Sequence, residues 1–485
     1  MIKPAAKPQA DNPALAFISK AEDFAAAHRG DAAFRFLRLY LQASQDELEL
    51  VMKKLYCDAL PQVNYQAEPL WRVALESLLH PFLYALKKSW LWSPEPAVDV
   101  QLETIDLAYF RKWFAQAFEG FSGTKRLSPR GSLPEQPSTG PVEGSITPRA
   151  LLWLAAAPLF IPALWLLSRR HGANLLKSYR RCLGVYAVYE GHFRRWPCRH
   201  FVTYADELNH PSRWLAFKHN CSGSLVVVQN GERGLHPFYA YSAMDVYLTF
   251  GDFCETMRAP LRMRVGRLHA VGALCLNEHY ERMRALERAG EPLVWDVLMV
   301  DQGVFPHCGL DLKTARSFEA MFRNLNELKK RNPGLRVAYQ LRQYPEGSAP
   351  GRDTLALIKS FFTDGVEILP NKGNGASYVN LYKSRLAITF NSTLGYEAFF
   401  LRRGMKALFV NYAGNPYENY STDERFQLTD ETADYGRYER RVLDLLKLEL
   451  EEPPAVARQR HSHFDGRVQE RIAAFVNGLS KGGAA

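Results

Sequence analysis

The chain has 485 residues, 47% of them hydrophobic, and a formal net charge of +10. This length exceeds one ordinary core, so we expect two or three domains. The positive charge suits phosphate-bearing substrates or an anionic membrane surface, whereas few stretches resemble a nucleic-acid-binding arm or motif, so we expect no nucleic-acid partner.

The seven cysteines lie far apart and include no C-x-x-C pair. This spacing argues against a disulfide framework and a zinc ribbon, and it is typical of a reducing compartment such as the cytoplasm. The stretch EGHFRRWPCRH brings His192, Cys198 and His200 together in sequence. No second ligand pair has matching spacing, so we expect no metal site and no cofactor.

The N-terminal part of the chain is predicted to be helical after a disordered start. Residues 1–14 lack the apolar core of a secretory signal, and residues 15–121 repeat apolar side chains at intervals of three and four. Residues 122–148 are rich in Gly, Pro and Ser. That composition predicts a flexible linker or a surface loop.

An apolar run, ALLWLAAAPLFIPALWLL, occupies residues 150–167. Its length is at the lower limit for crossing a bilayer, and it contains Pro158 and Pro162. Residues 168–200 then carry eight Lys or Arg side chains and a single acid, Glu190. Three interpretations fit this pattern, namely a buried helix, an interfacial helix and a true span. The basic flank predicts attachment to the inner leaflet of the membrane.

From about residue 200, short strands alternate with helices, which predicts parallel sheets with right-handed crossovers. The pattern breaks near residue 290 into two series. The first lies within residues 149–290 and has four clear strands, so we expect the helical region to replace its usual opening half. The second, residues 291–450, has about five strands, and residues 451–485 form a C-terminal helix and tail. The fold class is therefore α/β, with two Rossmann-like domains behind a helical N-terminal region.

The stretch FNSTLGYEAFFLRRGMKALFVN, residues 390–411, has the pattern of strand, turn, helix and strand. The unpaired N–H groups and the dipole of a helix start attract anions. The side chains of Asn391, Ser392 and Thr393 lie at that start, Gly395 leaves room for close approach, and Glu397 is one turn further on. A carboxylate there could accept hydrogen bonds from ribose hydroxyls while phosphates occupy the helix tip. The alternative is that Ser392 or Thr393 is only an N-cap.

NSTLGYEAFFLRRGMKALFVN resembles the donor-binding motif of GT-B glycosyltransferases that build bacterial surface carbohydrate, such as capsule and lipopolysaccharide enzymes. The N-terminal half of these enzymes is also similar to three stretches of this chain, namely FVTYADELNHPSRWLAFKHNCSGSLVVVQNGERG, DVYLTFGDFCETM and VGRLHAVGALCLN. The resemblance covers roughly residues 200–430 and implies a GT-B pair of domains. It also implies transfer of a sugar from a nucleotide-activated donor to a growing polysaccharide or lipopolysaccharide acceptor, glycan or lipid-linked glycan.

The resemblance implies that the C-terminal domain binds the donor and the N-terminal domain binds the acceptor. Ser392 and Thr393 then contact the donor phosphates, and Glu397 contacts the ribose. Arg342 and Lys372 follow two strands, where a basic side chain can neutralise the leaving group without a metal. The alternative for both is a solvated loop charge.

In relatives that polymerise teichoic acid or capsule, the loop matching Gln229-Asn230-Gly231 often carries a His, thought to be the general base. Asn230 takes that place here and cannot accept a proton at ordinary pH. Strand-end position selects Asp206 and Glu232 as candidate bases. His210 and His236 are the next candidates for the general base.

Asn230 and Arg233 are predicted to hold an acceptor or a phosphate, although a strand ending in Gln-Asn-Gly is also typical of a simple turn. Because the His is missing, a catalytically silent nucleotide-sugar-binding or scaffold subunit is the alternative function. The residues offer no supporting catalytic pair for a third possibility, a GT-B epimerase.

Overall fold

A computed structural model of the protein describes residues 15–60, 71–72, 75–76, 96–103, 123–127, 147–204, 210–302, 312–342, 348–371, 373, 375–414 and 423–481. The predicted disordered start and two predicted site residues, Asp206 and Lys372, lie outside these ranges. The described residues form two parallel six-stranded sheets with helices around them.

The first sheet has the strand order β2-β1-β3-β4-β5-β6. Every neighbouring pair is parallel. Its inward-facing positions are apolar, as expected for a parallel sheet covered on both faces. The strands are β1 (Val98–Glu103), β2 (Lys125–Leu127), β3 (Cys198–Thr203), β4 (Ser224–Val228), β5 (Ala243–Thr249) and β6 (Arg264–Ala270).

Two strands of this sheet correct the sequence-based description. Strand β1 lies inside residues 15–121, predicted to be helical, and β2 lies inside the predicted linker, residues 122–148. Strand β1 pairs with β3, with Val100 opposite His200, and β2 adds to its other edge. The helical region therefore does not replace the opening half of the first sheet, because it supplies strand β1 and the predicted linker supplies strand β2.

The second sheet has the order β12-β11-β10-β7-β8-β9, and all its pairs are parallel. The chain starts in the middle at β7, runs outward to β9, and returns to the other side at β10. That order is the doubly wound Rossmann arrangement, whose ligand crevice lies where the strand order reverses. The strands are β7 (Trp295–Val300), β8 (Val337–Gln340), β9 (Glu367–Leu369), β10 (Ser384–Thr389), β11 (Lys406–Asn411) and β12 (Gln427–Thr429).

Helices of the N-terminal region pack into one core with the helices of the first sheet. Ser44 caps α3 in a reciprocal capping box with Glu47, the arrangement that a Ser three residues before a Glu favours. These helices are α1 (Ala16–His28), α2 (Ala32–Leu41), α3 (Gln45–Ala59), α4 (Pro148–Ala156), α5 (Ile161–His171), α6 (Leu175–Arg195), α7 (Pro211–Asn220) and α8 (Phe253–Arg258). The next two helices, α9 (Leu274–Glu278) and α10 (Tyr280–Arg288), contribute to the other two cores.

The second domain has its own core, and the chain then returns to the first domain. Val468, Ile472 and Val476 of the last helix are buried against the first sheet, beside Val100 and Val202. The predicted C-terminal helix is thus two helices. The remaining helices are α11 (Leu312–Arg331), α12 (Ala349–Phe361), α13 (Ala376–Tyr382), α14 (Thr393–Leu401), α15 (Tyr435–Lys447), α16 (Ala455–Arg460) and α17 (Val468–Lys481).

The predicted fold class, a GT-B-like pair of Rossmann-like domains behind helices, is confirmed. The apolar run forms α4 and α5, joined by a 3₁₀ turn at Ala157–Phe160 where Pro158 interrupts the α-helix. By length and composition, the segment from Pro148 to His171 could cross a membrane, but only 17% of its most apolar window is buried. Full burial in a helical core, one of the three interpretations, is therefore wrong.

Candidate functional site

The carboxyl ends of the two sheets face each other. The loop after β4 meets the start of α14, where the backbone N–H of Glu232 donates a 2.9 Å hydrogen bond to the Thr393 side-chain oxygen. Gly231 lies beside the same hydroxyl, because a Cβ built on it would be 3.5 Å from Thr393 Oγ1. The residues at this junction therefore belong to both domains.

The strand order of the second sheet reverses between β7 and β10, and Gln302 bridges these two strands. Its side-chain oxygen accepts hydrogen bonds from the backbone N–H groups of Phe390 and Asn391, at 2.8 and 2.9 Å, and from the Thr389 hydroxyl. Its amide nitrogen donates to Asn391 Oδ1. Gln302 thus fixes the turn that leads into α14 at the place where doubly wound sheets bind ligands.

The first turn of α14 has the predicted geometry. Ser392 is the N-cap, with extended backbone, and its hydroxyl accepts a hydrogen bond from the Leu394 N–H. The N-cap alternative therefore holds for Ser392, while the Thr393 hydroxyl contacts the other domain. Gly395 has a packing role instead of the predicted space for a ligand, since a Cβ there would lie 2.6 Å from the Thr389 methyl and 2.8 Å from Phe409.

Glu397 lies one turn into α14 and is 1% exposed. The Tyr378 hydroxyl donates a 2.7 Å hydrogen bond to Oε2. Oε1 is buried and has no hydrogen-bond partner among the described residues. Burial raises the pKa of this carboxyl to about 7, and the charge of His461 and the Tyr378 hydrogen bond only partly offset that effect.

The first domain closes over Glu397 with a group of polar side chains. Burial, with the nearby charge of Glu397, raises the pKa of the Cys275 thiol to about 12. That sulfur lies 3.2 Å from the Tyr204 hydroxyl. The His279 ring packs against the Tyr378 ring at a tilt of 40°, with centroids 4.5 Å apart, and burial lowers the pKa of His279 to about 4. The buried carboxyl of Glu397 is therefore close to side chains of the first domain.

The Gln-Asn-Gly loop after β4 is held by its own side chains. Gln229 is buried, donates to the carbonyl of Gly231 at 2.7 Å and accepts from the Phe250 N–H at 2.8 Å. Gln229 therefore supports the loop, and its predicted place in the acceptor cleft stays a prediction. Asn230 accepts from the Arg233 guanidinium, which also lies over the Tyr239 ring.

Glu232 is in a buried ion-pair cluster. Its two oxygens lie 2.8 Å from Arg460 Nη1 and 2.6 Å from His461 Nε2. Burial acts to raise the pKa of Glu232, but the hydrogen bonds and charges of His461 and Arg460 outweigh it and lower that pKa. Both oxygens are occupied, so this geometry does not support the predicted role of Glu232 as a general base.

Of the other predicted residues, Arg342 lies beside the crevice, whereas His210 and His236 have structural roles. Arg342 is exposed beside the crevice, where its guanidinium donates to the Gln302 carbonyl at 3.1 Å. His210 caps α7 by accepting from the Ser212 N–H, and burial lowers its pKa to about 3. It is therefore a structural residue and not a reserve base. His236 likewise caps a 3₁₀ turn.

Sequence reasoning missed four residues of the site: Gln302, Tyr378, Arg460 and His461. Gln302 lies two residues after the end of β7, as Asn391 lies two residues after β10, so the same strand-end position could have selected it. Nothing in the sequence pairs Arg460 with Glu232, since 228 residues separate them. Among the described residues, no group of three His, Cys, Asp or Glu side chains could hold a metal ion.

No family model and no curated protein sequence matches the chain. Among solved structures, it is similar to a UDP-GlcNAc 2-epimerase from Methanocaldococcus jannaschii, with 10% identity, a TM-score of 0.46 and coverage of 79% of this chain and 100% of the other. The wall teichoic acid polymerase TagF gives 13% identity, a TM-score of 0.41 and coverage of 85% and 98%.

S. aureus MnaA bound to UDP gives 10% identity, a TM-score of 0.46 and coverage of 80% and 97%. Because all three TM-scores lie below 0.5, the fold assignment rests on strand order and register.

Proposed function

We propose that the protein is a glycosyltransferase. It takes a sugar from a nucleotide-activated donor and passes it to a growing bacterial surface polysaccharide or lipopolysaccharide. The donor binds in the crevice at the carboxyl edge of the second sheet, and the acceptor binds to the first domain. The nucleotide sugar is a substrate, and the reaction takes place in the cytoplasm.

One observation carries this proposal. The start of α14 lies at the reversal of strand order, faces the other domain, and is followed one turn later by a buried carboxylate oxygen without a described partner. The dipole at the start of α14 favours an anion, which suits a phosphate. The Glu397 carboxylate suits the ribose hydroxyls, because an unpaired buried acceptor gains most from a new hydrogen bond.

Glu397 is 1% exposed, and Cys275 of the first domain lies near enough to feel its charge, so we infer that the two domains separate to admit a nucleotide. This separation breaks the hydrogen bond between the Glu232 N–H and the Thr393 hydroxyl. The Thr393 hydroxyl then becomes available to a phosphate oxygen. Domain opening and closing about a cleft is a common way to exclude water from group transfer.

Basic side chains supply the positive charge that the donor phosphates need. Arg342 and Lys372 follow β8 and β9, and together they neutralise the phosphates of the leaving group, so the proposed transfer uses no metal ion. Asp206 follows β3 and is our remaining candidate for the general base, since Arg460 pairs with one oxygen of Glu232 and His461 Nε2 lies 2.6 Å from the other.

A catalytically silent, nucleotide-sugar-binding subunit is the second candidate. Two observations favour it: Asn230 replaces the expected His, and the neighbouring carboxylate of Glu232 is bound by Arg460 and His461. Such a subunit would bind the nucleotide sugar in the donor crevice but would not transfer the sugar.

Two assays separate the candidates. Thermal unfolding with UDP, CDP, GDP and other nucleotides identifies the base, because a ligand that binds only the folded state raises the melting temperature. Hydrolysis or transfer from the matching sugar nucleotide, with and without glycan acceptors, then tests catalysis. Binding without turnover supports the silent subunit, an epimerised donor would indicate an isomerase, and no stabilisation by any nucleotide contradicts the proposal.

A further inference from the structure

The segment Pro148–His171 is anchored at both ends to one side of the helical region. At its start, Arg149 forms a 2.8 Å ion pair with Glu190, and Thr147 donates to the same carboxylate. At its end, the Ser168 hydroxyl accepts from the Leu176 N–H at 3.2 Å. The segment Pro148–His171 therefore begins beside the C-terminal end of α6 and ends beside the N-terminal end of α6.

This arrangement excludes a membrane span. The segment measures about 36 Å at 1.5 Å per residue, enough to cross a bilayer, and α6 runs antiparallel beside it. A span would carry the charged side chains of α6, Arg180, Arg181, Glu190 and Arg194, into hydrocarbon. It would also carry in the core that packs against α6, including its contacts with α3 and α7.

One face of the segment packs inward. Leu154 and Leu164 are buried, and the Trp153 and Phe160 rings contact Phe36 of α2 with centroids 4.9 and 4.7 Å apart. These contacts fix which face points outward. The outward stripe consists of exposed apolar residues at helical spacing, namely Leu152, Ala155, Leu159, Pro162, Ala163 and Leu166.

Three leucine side chains of the stripe are largely exposed to solvent. Leu152, Leu159 and Leu166 recur every seven residues and are 73%, 78% and 62% exposed. Isolated exposed leucines need no explanation, but a continuous apolar stripe marks an interaction surface. It ends in Arg169 and Arg170, both exposed, and Arg169 lies over the Trp165 ring. The segment contains no acidic residue.

We propose that this stripe binds the surface of an anionic lipid bilayer, with the helix lying in the interface plane. Leu152, Leu159 and Leu166 insert among the acyl chains, and Arg169 and Arg170 contact lipid phosphates. The absence of any acid on the segment favours an anionic surface over a mixed-charge protein partner. The inference is independent of the donor crevice, which lies on other elements.

The purified full chain is tested by flotation with vesicles of phosphatidylcholine alone or mixed with phosphatidylglycerol. Ala155→Glu and Leu159→Glu place a carboxylate in the stripe, and Ala356→Glu places the same group on an exposed position of α12. We expect wild type and Ala356→Glu to float with the anionic vesicles, and both stripe variants to lose at least ten-fold in the bound fraction. Arg169→Ala with Arg170→Ala should lose the preference for phosphatidylglycerol.

Three results overturn the proposal. The first is equal flotation of all variants, and the second is a wild type that binds neither vesicle or binds both equally. The third is a dimer in solution that Ala155→Glu dissociates, which would assign the stripe to a second copy of the chain. Nucleotide binding should be the same in Ala155→Glu and wild type, so failure here is distinguishable from failure of the proposed function.

Discussion

The Tyr378 hydroxyl donates a 2.7 Å hydrogen bond to one oxygen of Glu397, whose other oxygen is buried without a described partner. This half-satisfied carboxylate lies between the two domains. A buried carboxyl with one hydrogen bond favours its neutral form, which explains why burial raises its pKa to about 7.

The raised pKa of Glu397 predicts a pH dependence of stability. The folded protein holds this proton up to about pH 7, whereas the unfolded chain releases it near 4.5, the ordinary pKa of a glutamate. The folded state therefore binds more protons between these values, so the free energy of unfolding falls as pH rises through this window and is flat above it. A full proton corresponds to about 1.4 kcal/mol per pH unit.

Urea unfolding of wild type and Glu397→Gln across this pH range measures the effect. The amide oxygen of the variant still accepts from Tyr378 but binds no proton, so its curve should lack the slope that wild type has. Identical slopes in the two proteins would mean that Glu397 titrates normally.

Thr393 is predicted to bind a donor phosphate with its hydroxyl. Thr393→Ala should weaken binding of the product nucleotide by about 1.5–3 kcal/mol, the contribution of a hydrogen bond to a charged group, and Thr393→Ser should retain most of it. Calorimetric titration measures both. Ser348→Ala is the control because Ser348 caps α12, so it should cost about 1 kcal/mol of stability and leave affinity unchanged. Equal affinities for Thr393→Ala and wild type would remove Thr393 from the donor site.

The sequence predicts the second domain well because its signals are local. Strands β7, β8, β9, β10 and β11 are short apolar runs separated by amphipathic helices, and each prediction needs only neighbouring residues. Strand β12 is missed, since Gln427–Thr429 has three residues and no apolar alternation. The start of α14 is visible for the same local reason, a small polar cap between a strand and a helix.

Of the missed parts, one has a local pattern and another depends on a distant partner. The segment Val98–Glu103 pairs with β3, about a hundred residues later. Its alternating sequence, VDVQLE, is a short strand pattern that the helical prediction for residues 15–121 overlooked. Glu232 looks like a free strand-end carboxylate in the sequence. Only the return of the chain through α16 brings Arg460 to it, which replaces a candidate base by a buried ion pair.

Asp206 remains the candidate base, and its substitution tests the chemistry without the donor site. Asp206→Asn keeps the shape of the side chain but removes the proton acceptor, so turnover should fall by about 10² or more with donor affinity retained. Asp353→Asn, at an exposed position of α12, is the matched control. Near-normal turnover in Asp206→Asn would leave the base to an unidentified group or favour the silent subunit.

The ion pair between Glu232 and Arg460 predicts a stability effect that a general base would not produce. Both side chains are buried, with 2.8 Å between Oε2 and Nη1. Glu232→Gln leaves the guanidinium without its counter-charge, so we expect a loss of about 3–5 kcal/mol in the free energy of unfolding. Arg460→Met should cost a similar amount, because it leaves the carboxylate buried and charged.

The double variant decides between the two roles. When both charges are removed, neither remains uncompensated, so Glu232→Gln with Arg460→Met should be more stable than the sum of the single losses predicts. Urea unfolding of the four proteins at one pH gives this coupling energy. If Glu232→Gln instead unfolds like wild type while turnover is lost, the carboxylate acts in catalysis, and the structural role assigned to its pair with Arg460 is wrong.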